Sequence, residues 1–136
     1  LEKGGYWAWL SNYIDDNEPE DQPIVVFRHE GAYSFKYHYS GVNEIIPFPR
    51  ELSFKSFDPK DFAVSSLDEV SNTFSKYIEE DSRVWIVTDE VYSYRGINYG
   101  HDFFEAFLEK KAKIFSDKEF QGSRVRLVRY TPSKKE

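Results

Sequence analysis

Two uninterrupted apolar runs of strand length, Pro23-Ile24-Val25-Val26-Phe27 and Val84-Trp85-Ile86-Val87, constrain the fold more than any other feature of the chain. Successive side chains of a strand point to opposite faces, so a strand with one wet face alternates apolar and polar residues. A run without alternation needs apolar cover on both faces, which is the position of a central strand in a parallel sheet with helices on either side. Arg83 leads into the second run, the clearer of the two. Glu44-Ile45-Ile46-Pro47 gives a third, shorter strand.

Helical periodicity fills the intervals. Tyr6, Trp7, Trp9, Leu10, Tyr13 and Ile14 recur at helical spacing and stop at the acidic, proline-containing loop from Asp15 to Asp21. The segment from Ala32 to Tyr39 puts Ala32, Phe35 and Tyr39 on one helical face, with Gly41 ending it. Phe48 to Val64 shows no clear period and predicts an irregular crossover. Ser66-Leu67-Asp68-Glu69 is a capping box, in which hydroxyl and carboxylate satisfy each other's free backbone N–H groups, and Leu67, Val70, Phe74, Tyr77 and Ile78 follow as an amphipathic stripe. Asp102 and Glu105 repeat the capping pattern ahead of Phe103, Phe104, Phe107 and Leu108, predicting a helix to about Lys111.

The end differs in kind. Lys113 to Phe120 and Ser123 to Tyr130 alternate more than they run, and Gln121-Gly122 between them suits a two-residue turn. The order of elements predicts a Rossmann-like α/β fold, a three-layer sandwich whose mostly parallel sheet of about five strands is closed by a C-terminal antiparallel hairpin. Residues 1–136 fit one domain with its own core. The first residue is Leu1 and methionine is absent throughout, which leads to the expectation of a piece excised from a longer protein.

Composition narrows the partners. With 24 acidic against 18 basic residues the net charge is −6, which argues against a general affinity for nucleic-acid phosphates. Arg124, Arg126 and Arg129 with Lys134 and Lys135 form a local basic end, suited to a solvated edge and tail or to anionic headgroups. No apolar run approaches the roughly 18 residues of a membrane span. Cysteine is absent, excluding disulfides and thiolate ligands. Ten tyrosines and twelve phenylalanines supply an aromatic core, with some tyrosines left for an interface or a carbohydrate-facing cleft.

Open parallel sheets bind ligands beyond the carboxyl ends of their strands, near the point where strand order reverses. Two polar loops should meet there: Arg28-His29-Glu30 after the first strand, and Thr88-Asp89-Glu90 running through Tyr92, Tyr94 and Arg95 after the central one. Together they offer carboxylates, an imidazole, guanidinium groups and aromatic faces to a sugar or a phosphate, although polar caps at helix starts are also ordinary. His29, Glu30, Asp89 and Glu90 contain the groups a hard cation prefers, but nothing in their spacing enforces a geometry, and no metal is expected. His38 and His101 stand on other elements without a His-x-x-x-His pair, against zinc. The acidic loop lacks the glycine and terminal glutamate of a calcium-binding EF-hand. No glycine-rich phosphate loop follows a strand and no Gly-x-Ser-x-Gly elbow is present, so neither a cofactor nor a catalytic residue is assigned.

The order of Trp9-Leu10-x-x-Tyr13-Ile14, the first strand run, Phe35-x-Tyr37-x-Tyr39 before Gly41, Arg83-Val84-Trp85-Ile86-Val87, and Phe120-x-Gly122-x-x-Val125-x-Leu127-x-x-Tyr130 resembles the soluble C-terminal domain of membrane glycosyltransferases of the protein-mannosyltransferase and aminoarabinose-transferase type. The resemblance covers nearly the whole chain, and most of its residues are core positions. It implies a polytopic parent that moves a sugar from a polyprenyl-phosphate carrier to an acceptor on the periplasmic or extracellular side. Its catalytic acids would lie in the membrane portion. The domain would pack over that portion of the same polypeptide and help bind a glycan, a lipid-linked acceptor or a partner. The rival readings are a free-standing α/β ligand-binding or interaction module and a metal-dependent hydrolase built on Asp89 and Glu90.

Overall fold

The computed structural model describes residues 3–17, 22–27, 29–39, 41, 43–51, 58–89, 93–94, 96–120 and 122–132. The elements run α1 (Lys3–Asn17), β1 (Ile24–Phe27), α2 (His29–His38), β2 (Ile45–Pro47), α3 (Leu67–Tyr77), β3 (Arg83–Asp89), β4 (Ser93–Tyr94), β5 (Ile97–Asn98), α4 (His101–Lys111), β6 (Ala112–Phe120) and β7 (Ser123–Tyr130). A 3-10 turn, Pro59–Phe62, is the regular piece of the expected crossover, whose residues 52–57 lie outside the described residues.

The main sheet has five strands in the order β2-β1-β3-β7-β6. β1 runs parallel to both neighbours, with Ile24 opposite Ile45 on one side and Trp85 on the other. β7 is antiparallel to β3 and to β6. The sheet is therefore mixed, which corrects the expectation of a mostly parallel one. The hairpin inserts β7 directly against β3 and contributes two of the five strands. β4 and β5 pair separately as a small antiparallel ribbon that the sequence did not announce.

Both apolar runs are buried on both faces, as their lack of alternation requires: Ile24 to Phe27 and Val84 to Val87 are essentially without solvent exposure. Odd and even positions feed separate cores. Val25, Phe27, Val84, Ile86, Val128 and Tyr130 pack with Val70 and Phe74 of α3 and Phe104, Phe107 and Leu108 of α4. Ile24, Val26, Trp85, Val87, Val125 and Leu127 pack with Leu10 and Ile14 of α1 and Ala32 and Phe35 of α2. Aromatic contacts tie each core together. Phe27 stacks on Phe104 at 4.8 Å, and Tyr13 meets Trp85 edge-on at 6.1 Å. Burial of side chains this size contributes about 1.5–3 kcal/mol each.

Helix ends show which local signals act. Ser66 Oγ accepts from Glu69 N at 3.0 Å, the expected half of the capping box. The returning Glu69 carboxylate accepts instead from Ser65 N at 2.8 Å, one residue earlier. Asp102 is not a cap. α4 begins one residue before it, at His101, with Gly100 at φ 88 as the N-cap where the backbone passes close to Val64. Asn98 Oδ1 accepts from Gly100 N at 2.8 Å and holds that N-cap. Glu105 is thereby released for a different partner.

Candidate functional site

From β1 the chain passes through α2 to β2, then returns through α3 to β3 on the other side of β1. The carboxyl ends of β1 and β3 thus flank a topological switch point, where open α/β sheets hold ligands. Of the residues the sequence placed there, Asp89 ends β3 and is present. His29 and Glu30 open α2 directly after β1, so the backbone carries them to the same end. Tyr94 falls in β4. Arg28, Glu90, Tyr92 and Arg95 lie outside the described residues.

Asp89 meets a residue that sequence reasoning left aside. Its Oδ1 lies 3.2 Å from Nε2 of His101, the first residue of α4. The imidazole is 2% exposed and its ring centre is 4.7 Å from that of Phe27. The Asp89–His101 contact joins the end of the central strand to the start of the last helix.

A second charged pair sits alongside. Arg126 stands opposite Ile86 in the β3–β7 ladder, on the same face as Val128 and Tyr130, and is 1% exposed. Its two terminal nitrogens donate to Glu105 Oε1 and Oε2 at 2.7 Å each. One of them also donates to Thr88 Oγ1 at 3.1 Å. Arg126 Nε has no hydrogen-bond partner among the described residues. The bidentate fork satisfies most of the donors of a guanidinium that would otherwise be buried without compensation. Residue 126 shares the face of the buried Val128 and Tyr130, whereas Arg124 on the same face remains 37% exposed, so alternation alone does not tell which arginine is enclosed.

Arg124 makes the same kind of fork at the surface, donating to Asp117 Oδ1 at 2.9 Å and Oδ2 at 2.7 Å. The Arg124 hydrogen bonds hold the Asp117 carboxyl below the usual carboxylate range, and the same contact raises Arg124. The expected basic end therefore divides. Arg124 and Arg126 are each matched by a carboxylate, Arg129 sits on the other face, and Lys134 and Lys135 lie outside the described residues.

Among the described residues two spaces border Asp89. A gap of about 10 Å³ between Phe27, Gly31 and Asp89 has room for one water. A polar hollow of about 150 Å³ is walled by Thr88, Asp89, Glu105, Glu119, Ser123 and Arg124. Its carboxylates and hydroxyls can accept hydrogen bonds from a hydroxyl-rich ligand. Asp89 and Glu105 are already engaged by His101 and Arg126. Among the described residues no group of three or more His, Asp or Glu side chains is placed to hold a metal ion. Among the same residues no helix is long and apolar enough to cross a membrane. Comparison of the chain with protein-family models, with curated proteins and with solved structures found no match.

Proposed function

We propose that this chain is a non-catalytic, extracytoplasmic domain of a membrane glycosyltransferase that uses a polyprenyl-phosphate sugar, and that it assists acceptor or partner binding beside the membrane portion of the same polypeptide. In this reading the two cores on either side of the mixed sheet form a three-layer, Rossmann-like sandwich. The observation that carries the reading is how the strand-end charges are used. Arg126 with Glu105, and His101 with Asp89, connect strand to helix, so these groups serve cohesion where a free-standing enzyme would present them to substrate. The sequence resemblance supports the reading, because its residues Trp9, Tyr13, Trp85, Val125 and Leu127 pack in one core. Exposed Tyr33 and Tyr37 on α2 offer a surface for a glycan or a partner.

The test is the parent polypeptide. Eight or more hydrophobic spans preceding Leu1, and transfer from a polyprenyl-phosphate sugar in membranes that falls when the domain is deleted, are expected. A parent without such spans, or transfer indifferent to the deletion, overturns the reading.

A free-standing ligand-binding module is the second reading, favoured by the polar hollow beside Asp89. Calorimetric titration of the chain with neutral sugars and with magnesium, manganese and zinc tests it. Heat that disappears in Asp89→Ala supports the module, and no heat removes both the module and the metal-dependent hydrolase.

A further inference from the structure

At the opposite end of the sheet, three cations stand in one row. Arg83 of β3 is opposite Arg129 of β7, and Arg129 is opposite Lys113 of β6. Adjacent strands are about 4.8 Å apart, and like charges directly opposite one another are destabilising. A β-bulge creates this row. Between Ile114 and Ser116 the β6–β7 register shifts by one residue, leaving Phe115 unpaired. Without the shift, counting back from the Phe120–Ser123 pair would bring Ile114 opposite Arg129. With it, Lys113 takes that place.

The bulged residue sits among the charges. The Arg83 guanidinium carbon lies 4.4 Å from the centre of the Phe115 ring, that of Arg129 5.8 Å, and Lys113 Nζ 5.7 Å. All are within cation–π range, which offsets part of the repulsion. Phe115 is still 39% exposed. Elsewhere in this acidic chain, buried or forked arginines have carboxylate partners. Among the described residues no carboxylate lies within ion-pair distance of Arg83, Lys113 or Arg129. Among the described residues the row makes one hydrogen bond, a long one, from Arg129 to the Asp81 carbonyl at 3.5 Å.

We propose that Arg83, Lys113 and Arg129, with Phe115 as an apolar wall, form a binding site for a phosphate-class anion. The two guanidinium groups supply forked donors, and the ammonium supplies a mobile point charge. A diphosphate or a lipid phosphate headgroup presents the same chemistry to this row. An anion relieves the repulsion the fold otherwise carries, while Phe115 covers the carbon atoms of a bound ester. The proposal does not depend on the parent being a membrane enzyme.

The experiment uses the whole chain at fixed low salt. One arm titrates it with inorganic pyrophosphate, followed by amide resonances. The other co-sediments it with phosphatidylcholine vesicles with and without phosphatidylglycerol. Saturable shifts at residues 83, 113, 115 and 129 assign a soluble phosphate. Sedimentation that requires phosphatidylglycerol assigns a headgroup. In either case Lys113→Glu and Arg129→Gln each weaken binding about tenfold or more, the loss expected for one charge-assisted hydrogen bond. Lys113 is exposed, so its variant tests the site with the fold undisturbed. Absence of binding in both arms, shifts confined to other residues, or binding that survives both substitutions overturns the proposal.

Discussion

Arg126, 1% exposed in the middle of β7, is held by both carboxylate oxygens of Glu105, one helix away, at 2.7 Å each. Removing one member of such a pair leaves the other charge uncompensated, at a cost of about 3–5 kcal/mol for fully buried pairs. Glu105 is one-third exposed, so Glu105→Ala is expected near the lower end, about 3 kcal/mol, because water reaches part of the fork. The double variant Glu105→Leu/Arg126→Met should recover much of that loss. A double-mutant cycle by urea denaturation measures it. A loss in the double variant equal to the sum of the two single losses would mean that the pair is structurally idle.

Gly100 carries a comparable load through the backbone. Its φ of 88 lies in the region that favours glycine, and a Cβ there would run into the carbonyl oxygen of Val64. Gly100→Ala is expected to cost more than about 1 kcal/mol, opposite in sign to the small gain of a glycine replacement at a compatible φ. It should also loosen His101, the next residue, from Asp89. Thermal unfolding and hydrogen exchange of the α4 amides check this. A variant with unchanged midpoint and unchanged exchange would contradict it.

These two sites show what the sequence could and could not tell. β1 and β3 were legible because a strand covered on both sides must be apolar at every position, whatever packs on it. The hairpin was legible for a related reason: alternation from Ser123 to Tyr130 and Gly122 at φ 86 are local properties. Arg126 with Glu105, Asp89 with His101, and Arg83 with Arg129 and Lys113 join residues on different elements, and a register set by packing decides them. The bulge at Phe115 is the clearest case. A shift of one residue there exchanges Ile114 for Lys113 beside Arg129, and alternation alone does not locate it. Glu105 misled for another reason: its spacing from Asp102 suits a cap, but the helix starts earlier and its carboxylate turns to the sheet.

The Asp117–Arg124 fork gives a pH prediction with a definite sign. Arg124 lowers the Asp117 carboxyl in the folded protein, so the folded state prefers the ionised form. Its contribution is fully present above the ordinary carboxylate value of about 3.9 and is lost as pH falls through the lower folded value. Both side chains are 37% exposed, so solvent screening limits the effect to about 0.2–1 kcal/mol. Asp117→Asn should therefore lower stability slightly at neutral pH and not at all once the wild-type carboxyl is protonated. Denaturation midpoints of both proteins from neutral to acid pH should converge. A constant gap would assign the loss to packing.

The proposed acceptor or partner surface makes the remaining prediction, and its value lies in separating stability from function. α2 buries Ala32 and Phe35 against the sheet and turns Tyr33 and Tyr37 outward, at 38% and 84% exposure. Residues one helical turn apart share a face, so the two tyrosines form one aromatic strip. Amphipathic rings in such a place suit stacking on a sugar or burial in a protein contact. Tyr33→Ser/Tyr37→Ser is expected to change stability by no more than about 0.5 kcal/mol per site, as for exposed positions in general. In the proposed membrane-bound parent it should raise KM for the acceptor several-fold and leave kcat nearly unchanged, because uniform binding energy is lost while, on that proposal, the reacting groups lie elsewhere. A fall in kcat with KM unchanged would place these rings at the reaction itself, and no change in either parameter would remove α2 from the binding surface.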